Sequence, residues 1–144
     1  MGFKYKFLII PTLVWFSVQV FKLVSDAVVN RKINFKRFVE TGGMPSSHSA
    51  VVTSLMTAVG LSEGFDSPMF AVSFVFSFIV MYDAAGVRLA AGKQAKILNQ
   101  LINSNQVKVD TNEKLKELLG HTPIQVFVGA IYGIIVGYLI MLFW

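Results

Sequence analysis

From Ile124 to Trp144 the chain runs without a charged residue, a stretch that an ordinary soluble domain of this size does not carry. As a helix it is long enough to cross about 30 Å of hydrocarbon. Inside a bilayer the backbone has to satisfy its own hydrogen bonds, so such a segment commits its surroundings to helices packed side by side. Two more apolar runs, Phe7 to Phe21 and Pro68 to Met81, fit the same pattern, and Ser49 to Leu61 is a weaker candidate. Composition agrees, with 54% of the 144 residues hydrophobic and only 15% charged. The first run continues past the usual length of a signal-peptide core and ends in Lys22 and Asp26 without a small-residue cleavage site, so it is expected to be a retained span.

The expected fold is therefore all-α: an integral membrane helical bundle of about four transmembrane helices plus a short cytoplasmic helical segment, forming a single domain over residues 1–144. The helices are expected at Phe7 to Asn30, Ser46 to Leu61, Ser67 to about Arg88, and Pro123 to Trp144. Loops are expected at Arg31 to Pro45, Ser62 to Asp66 and Lys93 to Thr122, the last with a helical stretch near Thr111 to Leu119. With four crossings, one side carries Arg31, Lys32, Lys36, Arg37, Arg88, Lys93, Lys96, Lys108, Lys114 and Lys116, and the other only Lys4 and Lys6. The positive-inside rule then makes the basic side cytoplasmic, with both termini outside, in a membrane expected to be the bacterial cytoplasmic one. The net charge of +5 is explained by this asymmetry; no basic patch with interleaved aromatics points to nucleic acid. The absence of cysteine excludes disulfides and thiolate metal sites.

Three segments carry polar chemistry. In Thr41-Gly42-Gly43-Met44-Pro45-Ser46-Ser47-His48-Ser49-Ala50 a glycine pair and a proline lead through serines to a histidine, immediately before an apolar helix. The first-turn amides of a helix lack internal partners and the helix dipole favours negative charge there, which makes such a start an anion site. Ser46 and Ser47 can cap those amides or donate to a phosphate, Gly43 lets backbone approach it, and His48 can hand a proton to a departing oxygen. In Gly120-His121-Thr122-Pro123-Ile124-Gln125 the design recurs. Thr122 as N-cap, Pro123 at the first helical position and Gln125 three residues after the cap form a capping box, which leaves His121 unexplained by capping. On the four-helix topology the chain's two histidines emerge on the same side of the membrane.

The third segment, Tyr82 to Gln94, brings Asp83 and Arg88 to that side. Charged groups at the end of a span are retained when they pair or serve a polar cavity. Arg88 suits a phosphate clamp because guanidinium grips two oxygens, and a plain ion pair with Asp83 is the alternative. Lys22 either pairs with Asp26 one turn on or reaches the same pocket. Gly129, Gly133 and Gly137 form a small-residue stripe open to two uses, packing within the subunit or a homodimer.

In these segments, GGMPSSHSA at Gly42 to Ala50, MYDAAGVR at Met81 to Arg88 and LLGHTPIQV at Leu118 to Val126, the chain resembles the divergent family related to type 2 phosphatidic acid phosphatases and vanadium haloperoxidases. The resemblance covers nearly the whole length. It implies a lipid-phosphate substrate, a metal-independent phosphatase reaction without cofactor, and a phosphohistidine intermediate. By position, Pro45, Ser46 and His48 match the motif that supplies the leaving-group acid, with Ser47 in place of a glycine, and His121 matches the nucleophile. The arginine that precedes the nucleophile in the wider superfamily has no counterpart, since Leu115 stands six residues before His121; Arg88 is the candidate substitute. Gln125 stands where an acid orients the nucleophile in the superfamily. The catalytic set expected is thus His121, His48, Arg88, Asp83 and Gln125, with Lys22, Ser46, Ser47, Gly43 and Thr122 binding substrate. A non-catalytic phospholipid or anion binder that keeps the site without turnover is the alternative, supported by Gln125. Phosphatidyl transfer of the CDP-alcohol type fails: Asp83 and Arg88 share its opening offset, but Ile97 stands where a glycine is required.

Overall fold

The computed structural model describes residues 5–31, 43–104, 115 and 120–144. Five helices follow one another: α1 (Lys6–Asn30), α2 (Ser47–Glu63), α3 (Pro68–Ala85), α4 (Val87–Asn103) and α5 (Pro123–Leu142). Among the described residues three helical stretches are long and apolar enough to cross a membrane, Lys6–Asn30, Pro68–Ile102 and Pro123–Leu142. The all-α membrane bundle expected from the sequence is the fold found.

α2, less apolar than the α1, α3 and α5 helices around it, is the centre of the bundle and packs against all three. Its buried residues are mostly small: Ser49, Ala50, Val52, Thr53, Ser54, Thr57, Ala58, Val59 and Gly60. A helix surrounded by helices gains from close approach rather than from long apolar side chains, which is why its composition looks less like a span. Its hydroxyls are satisfied by backbone carbonyls, Thr53 Oγ1 donating to Ser49 O at 2.7 Å and Thr57 Oγ1 to Thr53 O at 2.8 Å. Two such bonds cross between helices, Thr53 Oγ1 to Ala130 O at 3.1 Å and Ser77 Oγ to Val52 O at 2.9 Å. The outward residues of α3, among them Phe74, Phe78 and Ile79, remain exposed for lipid.

The glycine stripe of α5 lies on α2. A Cβ at Gly129 would strike Ser46 O, one at Gly133 would strike Ala50 O and Thr53 Oγ1, and one at Gly137 would come within 3.0 Å of Ser54 Cβ. Of the two uses left open by the sequence, packing within the subunit is the one formed here. The stripe is filled from within the subunit by α2. The matched steps of four residues show that α2 and α5 run parallel. Ser77 meets Val52 while Phe70 meets Gly60, so α3 runs antiparallel to α2. The starts of α2 and α5 and the end of α3 therefore gather at one end of the bundle.

Two boundaries differ from expectation. The third helix does not continue to Arg88: it ends at Gly86, whose N–H closes on Tyr82 O at 2.8 Å, and a new helix opens with Ala90 N to Gly86 O at 3.0 Å. Lys93 onward is not a loop, since α4 runs on to Asn103. The cations Arg88, Lys93 and Lys96 mask it in hydropathy, but Gly92, Ala95 and Asn99 bury one face at helical spacing. Of the helical stretch expected near Thr111 to Leu119, only Leu115 is among the described residues. It exchanges two backbone bonds with the Asn99 side chain, at 2.8 and 3.0 Å.

Candidate active site

Each histidine is delivered by a capped helix start. Ser46 is the N-cap of α2 and its Oγ accepts from Ser49 N at 3.3 Å. Its own N–H donates to Gln125 O at 3.1 Å, which ties the start of α2 to the first turn of α5. Thr122 caps α5 in the expected capping box: Oγ1 accepts from Gln125 N at 3.4 Å, and Gln125 Oε1 accepts from Thr122 N at 3.1 Å. His121 N donates to Ala84 O at 2.9 Å, binding this start to the end of α3. Gly120, at φ +84°, permits that approach, because a Cβ there would strike Leu89 N at the start of α4. The imidazoles of His48 and His121 consequently face each other edge-on, with ring centroids 5.9 Å apart.

His121 is almost wholly buried. Its Nδ1 lies 3.3 Å from Gln125 Oε1, so Gln125 is both helix cap and histidine partner. An amide oxygen only accepts, so this bond is made by the tautomer that carries its proton on Nδ1, the form in which Nε2 has the lone pair. Burial pushes the His121 pKa below its ordinary 6.5; the bond to Gln125 pulls it back, Lys22 and His48 push it down, and the Gly43 carbonyl pulls it up. The balance favours a neutral imidazole at neutral pH.

The other expected residues are placed as follows. Lys22 is buried on α1 and acts electrostatically on both histidines. Arg88 Nε donates to Asp83 Oδ2 at 2.7 Å across the α3–α4 junction, at half-exposed positions, and both act on His48. The ion pair foreseen as the alternative is therefore formed, and it engages only Nε of the five guanidinium donors. Ser47 lines the pocket beside His48, whereas the hydroxyls of Ser46 and Thr122 are occupied as caps. Among the described residues no group of three or more histidine and carboxylate side chains converges for a metal.

Beside His48 opens a cleft of about 730 Å³. α2 forms its floor through Ser47, His48 and Val51; α1 gives one wall with Trp15 and Gln19; α3 gives the other with Phe76 and Ile79, and Asp83 and Arg88 stand at the mouth. α1 and α3 flank α2 with their backbones apart from each other among the described residues. Trp15, Phe76 and Ile79 are exposed, so the cleft opens sideways to where lipid would lie. Sequence reasoning missed Gln19 and the tie from His121 to Ala84. The first had a signal, a lone amide within an apolar run; the second, a backbone contact, had none.

Comparison with known proteins adds an independent line. Residues 3–136 match the family described as the Divergent PAP2 family. The chain is 46% identical over 129 residues to an uncharacterized membrane protein, YuiD, of Bacillus subtilis (strain 168), with 81% of this chain and 82% of the relative covered. No solved structure matches it.

Proposed function

The chain belongs to the Divergent PAP2 family, and from that premise we propose that it is a membrane lipid-phosphate phosphatase working through a phosphohistidine. It is a phosphatase-related membrane protein by membership; hydrolysis is the reading that its site supports best. The observation that carries the proposal is the pair of histidines, delivered by two different helix starts to 5.9 Å from each other, with Nδ1 of His121 3.3 Å from Gln125 Oε1.

In the proposed reaction Nε2 of neutral His121 attacks phosphorus and the bond from phosphorus to the leaving oxygen breaks. His48 gives that oxygen its proton, so the lipid leaves as an alcohol or a lipid phosphate. A water then attacks the phosphohistidine, His48 takes the water's proton, and inorganic phosphate leaves with His121 restored. Charge on the transferring group is held by Lys22, by the guanidinium donors of Arg88 not bound to Asp83, and by first-turn amides. The lateral cleft would take the hydrocarbon while the phosphate stays at the histidine end. The positive-inside rule puts that end on the cytoplasmic face, since Arg31, Arg88, Lys93 and Lys96 all follow helices that finish there.

Detergent-purified protein should release inorganic phosphate from a panel of phosphatidate, phosphatidylglycerophosphate and polyprenyl pyrophosphate. His121→Ala and His48→Ala should each reduce release to background while the protein remains inserted and helical. Tight binding of these lipids with no release by the wild type would favour a non-catalytic anion binder, the reading that the neutral Gln125 supports.

A further inference from the structure

The hydrocarbon of a bilayer is about 30 Å thick, and α3 with its 18 residues already measures about 27 Å. The apolar stretch from Pro68 to Ile102 has 35 residues, about 52 Å if it ran straight, so α4 has no hydrocarbon left to cross. The chain has a joint at that point. Gly86, at φ −102° and ψ −87°, lies outside helical geometry, and Ala84 O, which would accept from Arg88 N in an unbroken helix, accepts from His121 N. Beyond the joint the backbone of α4 stays clear of α1, α2 and α5 among the described residues.

α4 nevertheless carries more apolar surface than its own packing uses. Its helical spacing sorts the side chains onto three faces. Gly92, Ala95 and Asn99 form the buried one, and Lys93, Lys96 and Gln100 an exposed polar one. Val87, Ile97, Leu98 and Leu101 form the third, and they are 41% to 64% exposed. A row of large apolar side chains along one helix face is unfavourable in water. Lys93 stands one turn before Ile97 at the border of this face, where its stem can follow the apolar surface while its ammonium reaches a phosphate. Tyr82, exposed and one turn before the joint, is the kind of residue that sits at headgroup level. An amphipathic helix that continues a lipid-facing span fits a membrane surface.

We propose that α4 is an interfacial helix. It lies along the membrane at the histidine end of the bundle, with Ile97, Leu98 and Leu101 in the edge of the hydrocarbon, Lys93 among headgroup phosphates, and Lys96 and Gln100 towards water. Its partner is the bilayer itself. Anchored in this way, α4 holds Arg88, its second residue, at the depth of the lipid phosphates, where the mouth of the cleft opens.

The chain has no cysteine, so single cysteines can carry a polarity-sensitive fluorophore in the whole protein, reconstituted into vesicles of phosphatidylcholine and phosphatidylglycerol. The sites are Ile97→Cys, Leu98→Cys and Leu101→Cys on the apolar face and Lys96→Cys and Gln100→Cys on the polar one; all are exposed, so the label displaces no packed side chain. Labels on the apolar face should emit to the blue of the other two, be quenched by nitroxides on the lipid chains, and resist iodide present on both sides of the membrane. Labels on the polar face should show the reverse. Iodide quenching of all five alike would put α4 in water and overturn the proposal. Lipid quenching of all five alike would make α4 a membrane-crossing continuation of α3, which overturns it too. Shielding of the apolar-face labels from both quenchers would mean that protein, a second copy included, covers that face, and would overturn it as well.

Discussion

Gln125→Glu changes one atom at the contact on which the proposed chemistry turns. Gln125 Oε1 now accepts two bonds, from Thr122 N at 3.1 Å and from His121 Nδ1 at 3.3 Å. A carboxylate can keep both, so the capping box survives, and negative charge in a first helical turn is favourable. The difference appears as His121 attacks and its ring becomes positive. A neutral hydrogen bond contributes about 1 kcal/mol and one to a charged partner about 1.5–3 kcal/mol, so the transition state gains roughly 1 kcal/mol or slightly more. That corresponds to about a five- to tenfold rise in kcat with little change in KM. The same carboxylate raises the His121 pKa, so kcat is compared across full pH profiles, each protein at its own optimum, because His121 has to be neutral while His48 carries its proton. Phosphate release from a lipid phosphate in detergent, with melting recorded in parallel, gives the answer. An unchanged or lower kcat at unchanged stability would mean that Gln125 serves only as a cap and that the imidazole is oriented by another group.

The pKa of His121 is held below 6.5 by burial, so the acid limb of the kcat/KM profile should fall below pH 6.5 and move upward in Gln125→Glu. Because the folded value is the lower one, stability is undiminished above pH 6.5 and declines as pH drops from there through the folded value, which melting curves should follow. Gly133→Ala should lose about 1–3 kcal/mol and most activity, since its Cβ meets backbone that cannot yield and α2 carries His48; Gly137→Ala should cost less in the same melting assay. Arg88→Lys should lower kcat/KM about tenfold with little effect on melting, because an ammonium cannot hold Asp83 and a phosphate together and the exposed pair contributes little stability.

What the sequence discloses is uneven, for physical reasons. Spans that face lipid are legible because exposure to hydrocarbon selects the residues that hydropathy counts; α5 and the first half of α3 are of this kind. α2 reads weakly because its neighbours are helices and its selection is for small side chains such as Ala50, Thr53 and Ser54. The histidine ends are legible through cap chemistry, since Ser46 and Thr122 with Gln125 are local signals that hold in three dimensions. Where side chains meet across the bundle, the sequence gives less. The pairing of His121 with Gln125 lies within one turn and could be foreseen, whereas the bond from His121 N to Ala84 O and the place of Gln19 in the cleft wall depend on tertiary placement. Gly86 shows the limit plainly: a glycine inside an apolar-to-basic run reads as part of one helix, and only the dihedrals reveal that α3 and α4 are two.

The direct test of the central claim is covalent. Purified protein incubated with a lipid phosphate carrying labelled phosphorus, then quenched without acid to preserve phosphoramidate bonds, should carry label that peptide mass spectrometry places on His121. No label should be found in His121→Ala. Phosphate release from the lipid with no label on His121, undiminished in His121→Ala, would contradict the mechanism.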